Sequence, residues 1–404
     1  MIKKSFLSLK SYCEREQFKG WDPYDGLNSN VFNAIPFANK SSLLRMLVIQ
    51  GFKRLPINLR NPLGVPKMYN AKGLGLFLTG YCNLYNIVEQ NSELEPLLGC
   101  AKELRTYIVE FAGLLLGMQS KGYRGACWGY TFDWQSKAFF LPKNTPTVVA
   151  TSFVVEALLN AYEITKDENY LSEALSSADF ILHELNRIPK ADGCFMFSYS
   201  PLDTRAVYNA TLLGTKTLAL IYKYTKNHEY KSAAYLSAKA VCAEQNADGS
   251  FPHSDQVRNL WRDNFHTGFK LESLSIYQDY CEDTSFSENI ERGFRYWINN
   301  YFIKDKGIAK YYDNSSEDDL IDLHCVAQAI PTICKLNKIN TETVDLMNSI
   351  IVWAIENMQS PDGYFYFQKK GASINKIPYM RWPNAWMFYG MSYFIKSCSN
   401  KHLW

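Results

Sequence analysis

Two stretches of the chain set the same kind of chemistry at the same kind of place. RDNFHTGF puts Asp263 and Asn264 just before His266, and IDLHCVAQ puts Asp322 two residues before His324, with Gln328 one turn further on. An acid or amide at a helix start caps the first free N–H groups. Asp263 is also near enough to orient His266, and a histidine held by a carboxylate is a ready general base. The plainer alternative is a helix cap beside a core histidine. A third histidine, His253, follows the loop QNADGSFPHS.

Four further clusters carry recognition chemistry. CWGYTFDWQS gathers Trp128, Tyr130, Asp133, Trp134 and Gln135. Its rings suit the faces of sugars and its acid and amide suit hydroxyls; a packed aromatic plug is the alternative. YMRWPNAWMFYG offers Tyr379, Arg381, Trp382, Asn384 and Trp386, with Arg381 able to clamp a carboxylate or phosphate. SPLDTRAVYNA offers Tyr199, Arg205, Tyr208 and Asn209. WDPYDGLNS joins Trp21 and Tyr24 to Asp22, Asp25, Asn28 and Ser29. Pro23 and Gly26 make it a turn that either caps a helix or edges a pocket. The candidate catalytic set is His266, His324, Asp133, Asp25 and Tyr208. The candidate binding set is Trp21, Tyr24, Trp128, Trp134, Gln135, Arg205, Asn209, His253, Asp263, Asn264, Asp322, Arg381, Trp382 and Trp386. Cys127, His266, His324 and Cys325 offer zinc ligands, but at no diagnostic spacing, so no metal is expected. No dinucleotide or phosphate-loop glycine motif is present, so no cofactor is expected.

The elements that must position these residues follow from a period. Turn glycines with aromatic neighbours recur at Gly64, Gly122, Gly193, Gly249, Gly307 and Gly363, spaced 58, 71, 56, 58 and 56 residues apart. Between them, apolar residues recur at helical spacing, two helices to a unit. Six such units predict an all-α, closed (α/α)6 toroid of about twelve helices, one domain over residues 1–404, with short hairpins in the rim loops. Inner helices are expected to start near Lys72, Thr147, Ala206, His266, Asp322 and Pro383. Outer ones are expected near Leu27, Leu98, Tyr170, Glu229, Ser287 and Glu342. The glycine loops then share one rim, where inner-helix N-termini converge with partial positive charge. A pocket there suits carboxylates or phosphates.

Composition narrows the partners. A net charge of +3 in 404 residues argues for neither nucleic acid nor an acidic membrane. No apolar run reaches transmembrane length. The opening MIKKSFLSLKSYCERE is a poor signal peptide, because Lys10 interrupts its apolar stretch. Ten scattered cysteines without a CxxC pair predict reduced thiols and a cytoplasmic location.

QNADGSF and QSPDGYF resemble the repeats of terpene cyclases and protein prenyltransferases, although the DxDD protonating motif of the former is absent. The same toroid serves unsaturated glucuronyl hydrolases, polysaccharide lyases and the helical domain of glucuronyl C5-epimerases. DPYDGLNS, CWGYTFDWQS, NTPTVVATSF, DNFHTGFKLESL and YMRWPNAWMFYG resemble, over nearly the whole chain, a little-characterised family of bacterial exopolysaccharide and capsule loci. That resemblance implies glycan assembly or tailoring, with an oligosaccharide, polysaccharide or lipid-linked glycan as partner, and contact with the assembly machinery. Arginine, tyrosine and histidine at inner-helix starts suit proton abstraction beside a uronate carboxylate, as in a lyase or epimerase. Hydrolysis would instead need two carboxylates roughly 5 to 10 Å apart, drawn from Asp25, Asp133, Asp263 and Asp322. A glycan-binding assembly factor and a terpenoid or peptide cyclase are the remaining alternatives.

Overall fold

The structure, a computed structural model, describes residues 1–135, 139–255 and 261–399. Twelve long helices alternate between an outer and an inner ring. The outer ones are α1 (Ile2–Arg15), α3 (Ala101–Gly117), α5 (Glu168–Asp179), α7 (His228–Cys242), α9 (Ser287–Asn300) and α11 (Thr341–Met358). The inner ones are α2 (Ala71–Gln90), α4 (Val148–Thr165), α6 (Tyr208–Thr225), α8 (Asn264–Cys281), α10 (Leu323–Lys335) and α12 (Ala385–Ser399). Each inner helix packs on the next, and α12 returns to α2, closing the (α/α)6 toroid.

The two rings differ as their burial requires. α4 is buried on every side from Val148 to Leu159, with Glu156 among its buried residues. It is also the one described helix long and apolar enough to cross a membrane. α9 keeps only Ile290, Gly293 and Trp297 buried, one stripe of an otherwise polar helix. Inner helices start at side-chain caps: Asn70, Thr147, Asp263 and Asp322 each accept a bond from a backbone N–H in the first turn.

At three of the six period glycines the residue type has a steric cause. At Gly249 (φ 93°) and Gly363 (φ 100°) the backbone is left-handed, and a Cβ would strike the carbonyl oxygens of Arg292 and Ser8. Gly307 meets the Ser349 carbonyl in the same way, so these three loops each press a bare backbone onto the outer helix of the next unit, whereas Gly122 and Gly193 meet nothing within 4 Å. The partner of Gly363 lies in α1, which also packs on α11 and α12.

The first outer helix is therefore α1, not a helix near Leu27. Its charged residues mask an amphipathic face on which Ile2, Phe6, Leu9 and Cys13 are buried. The residues after it instead form an insertion with two helices, Asn30–Ala34 and Ser42–Arg54. It has its own small core of Leu27, Phe32, Ala38 and Ile49, against which Tyr24, Trp134 and Phe140 pack. The expected rim hairpins are present, including Trp134–Gln135 with Phe140–Leu141 and Arg187–Pro189 with Phe195–Phe197.

On the toroid axis a buried network holds the inner helices together. Glu156 of α4 takes Lys216 of α6 at 2.5 Å and Lys335 of α10 at 2.6 Å. Lys335 also reaches Glu272 of α8 at 3.2 Å and the Tyr389 hydroxyl of α12 at 2.8 Å.

Candidate active site

On the rim that gathers the inner-helix N-termini, a cavity of about 540 Å³ opens into the toroid. That lies within the roughly 300–1,000 Å³ usual for small-ligand clefts. The start of α8 builds one wall. Asp263 is the cap: its Oδ1 accepts the His266 backbone N–H at 2.8 Å, and its Oδ2 lies 2.7 Å from His266 Nδ1. A carboxylate only accepts, so Nδ1 carries the proton and Nε2 is left for the cavity. Asp263 is buried, and the imidazole beside it holds its carboxyl below the usual range against the opposing effect of burial.

The start of α10 builds the floor. Asp322 caps the His324 N–H at 2.9 Å and accepts the Trp382 indole at 2.8 Å and the Gln368 amide at 2.7 Å. Burial pushes its carboxyl up to about 6 despite those bonds. His324 lies between Phe265 and Trp386, at ring separations of 4.2 and 4.1 Å. Neither of its ring nitrogens has a partner among the described residues, and burial depresses its pKa well below the ordinary value. His253 stacks on Trp261 at 4.0 Å and lies 5.1 Å from the His266 ring. Burial, with His266 next in weight, lowers its pKa to about 3.

Cations complete the lining. Lys72, in the first turn of α2, sits over Phe153, Phe269 and Trp386 at 4.4 to 5.0 Å. Burial first, then Arg381 and Lys216, lower its pKa well below the ordinary lysine value. Lys53 donates to the Tyr24 hydroxyl at 3.0 Å. Arg205 and Arg381 also face the cavity. Arg381 clamps a carboxylate as expected, but that of Asp22 in the same chain, while its guanidinium stacks by Tyr130 and Trp382. It is carried on a π-helical turn, Met380–Asn384, that leads into α12. Among the described residues the one carboxylate lining the cavity is Asp203. Its oxygens are taken by the N–H groups of Tyr199, Ser200 and Arg205 and the Ser200 hydroxyl.

Of the expected residues, Tyr24, Trp134, Arg205, Asn209, His253, His266, His324, Arg381 and Trp382 line this cavity. Asp263, Asp322 and Trp386 stand behind them. Seven others lie elsewhere. Asp25 is sealed against Arg60 at 2.7 Å. Asp133 closes a turn on the Lys143 N–H at 2.6 Å. Trp128 is fully buried and donates to the Leu115 carbonyl at 2.6 Å. Trp21 donates to the Val65 carbonyl at 2.9 Å, and Gln135 accepts from Arg45 at 2.8 Å. Asn264 accepts the Trp297 indole at 2.8 Å. Tyr208 is buried, its phenol pushed up by burial and by Glu244. Cys127 and Cys325, weighed above as zinc ligands although no metal was expected, are buried, and the metal-capable group among the described residues is His253, Asp263 and His266, with ligand atoms within 4.8 Å. Lys53, Lys72, Phe265, Trp261 and the Tyr311–Tyr312 pair were not anticipated. The one signal in the sequence was Lys72, a lone charge opening an apolar inner helix.

No protein-family model matches the chain, and no curated protein matches it. Its fold is similar to that of solved enzymes. A heparin-specific unsaturated glucuronyl hydrolase aligns at TM-score 0.62 and 12% identity, over 100% of this chain and 98% of that one. A cellobiose 2-epimerase from Bacillus thermoamylovorans aligns at 0.60 and 11%, over 81% and 87%. An α-mannanase of glycoside hydrolase family 76 from Bacteroides thetaiotaomicron aligns at 0.61 and 13%, over 84% and 90%. At these identities the likeness is one of fold.

Proposed function

We propose that the protein is a glycan-active enzyme that moves a proton on an acidic sugar, by lyase or epimerase chemistry. The observation that carries this is the cavity lining: three histidines, two arginines and two lysines share it with one carboxylate that backbone N–H groups already occupy. Paired carboxylates placed for hydrolysis are absent from the described lining. The toroid neighbours, which include an epimerase and a glucuronyl hydrolase by name, are consistent with a sugar substrate.

In this mechanism His266 Nε2 takes the proton from the carbon next to the sugar carboxylate. Nδ1–H stays bonded to Asp263, whose charge steadies the imidazolium as it forms. The electron pair moves onto the carboxylate, opposite Arg205. Tyr130 and Tyr199, whose hydroxyls lie 3.4 Å apart, both have phenols pushed up by burial. They therefore hold the proton to be returned. Return of that proton to the other face gives the epimer; expulsion of the oxygen substituent on the next carbon, which leaves carrying the tyrosine proton, gives the unsaturated sugar. The motif resemblance to exopolysaccharide and capsule proteins supports a bacterial surface glycan, free or lipid-linked, as substrate.

The test is incubation with uronate oligosaccharides in heavy water. Deuterium at the carbon beside the carboxylate, or an ultraviolet-absorbing unsaturated product, is expected, and His266→Gln should abolish either. Water oxygen entering at the anomeric carbon without deuterium uptake would overturn the proposal in favour of hydrolysis.

A further inference from the structure

The insertion between α1 and α2 carries an exposed apolar surface. Eight of the thirteen large hydrophobic residues exposed among the described residues fall between 31 and 57: Val31, Ile35, Phe37, Leu43, Leu44, Leu47, Leu55 and Ile57. Phe37 is 76% exposed, Leu43 and Leu47 each 59%. On the helix Ser42–Arg54, Leu43 and Leu47 are one turn apart and share a stripe that ends near exposed Arg54. Ile49 and Phe52 on the same helix are buried, so its inward side is already satisfied. An outward apolar stripe with no packing role is the mark of a surface that meets something else.

Charge identifies the partner. From Gly26 to Val88 the chain has no Asp or Glu, although it has 40 in all; of the seven Lys and Arg there, Lys53, Arg60 and Lys72 turn inward and Arg45 and Lys67 are paired, which leaves Lys40 and Arg54 for the surface. Lys40 and Arg54 are exposed beside the apolar residues. A second copy of this chain would set those bases against like charges, with no acid on the segment to pair them. An anionic lipid surface offers both an apolar layer for the leucines and phosphate charge for the bases. The geometry points to this insertion as a docking surface for an anionic bilayer, with Phe37, Leu43 and Leu47 entering the headgroup boundary. The same helix supplies Lys53 to the cavity wall, so a lipid-carried glycan would meet the site close to where the protein is held. Surface attachment is independent of the chemistry inside the cavity.

Co-sedimentation of the full chain with vesicles tests it. The protein is expected to pellet with phosphatidylcholine vesicles containing phosphatidylglycerol, far less with phosphatidylcholine alone, and less as salt rises. The double variant Leu43→Asp/Leu47→Asp, at exposed positions, should keep its thermal melt and lose vesicle binding at least tenfold. Absence of sedimentation, equal binding to neutral vesicles, or equal binding by the variant overturns the proposal. So does a concentration-dependent dimer that the variant dissolves, which would assign the face to a second copy.

Discussion

Asp263 does two jobs with one carboxylate, capping α8 and holding His266 Nδ1. Replacing it with Asn keeps a cap but not the acceptor charge. Asp263→Asn is therefore expected to leave the melting temperature nearly unchanged while lowering kcat much more than it raises KM. His266→Gln should cost about 10²–10⁴ in kcat, the range for a general base. Steady-state kinetics on a uronate substrate, beside a thermal melt, checks both. This dyad was legible because cap and histidine are three residues apart and local rules govern them. Arg381 was legible as a clamp but its partner was not, since Asp22 lies 359 positions away. Lys72 escaped for a related reason. Its value lies in the rings of Phe153, Phe269 and Trp386 around it, which come from three other inner helices.

Among elements, three of the six period glycines, Gly249, Gly307 and Gly363, lie where a rim loop presses on the next outer helix, and Gly122 does not. That difference makes a paired prediction. Gly363→Ala must accommodate both a left-handed backbone and the Ser8 carbonyl, whereas Gly122→Ala at φ 88° meets nothing within 4 Å. The first is expected to destabilise by clearly more than the roughly 1 kcal/mol typical of an incompatible backbone, and the second by about that amount, read from urea unfolding. The insertion was the element least legible. Its helix pattern suggested an outer helix near Leu27, because an apolar face reads the same whether it meets the core or the outside. The true outer helix, α1, was hidden by the lysines on its exposed side. CWGYTFDWQS was legible as an aromatic rim segment, yet its two tryptophans part company. Trp134 faces the cavity while Trp128 is core.

At the scale of the whole molecule, the axial network ties four inner helices to one lysine and sets an acid limit. Burial alone would raise the Glu156 carboxyl, but Lys216 and Lys335 outweigh it and hold it at about 2, against 4.5 ordinarily. Folding therefore favours its ionised form. That contribution is complete above about 4.5 and fades as pH falls toward about 2. Glu156→Gln is expected to flatten this part of the acid-unfolding profile, followed by tryptophan fluorescence. At neutral pH it should also cost about 3–5 kcal/mol, because two buried lysines lose a shared partner. The toroid itself was legible from the period, whereas the network was not, since Glu156, Lys216, Glu272 and Lys335 look like ordinary helix charges.

The contact of Gly363 with Ser8 has one more consequence. Stacked repeats normally form an open row whose terminal units fray and whose stability grows unit by unit. Here the last loop seals onto the first helix, so the array has no terminal unit. The sixth junction can form only when both ends of the chain are in place. Truncation of α1 would therefore not yield a slightly shorter stable protein but an unsealed horseshoe with an exposed core, and the intact molecule should melt as one cooperative body.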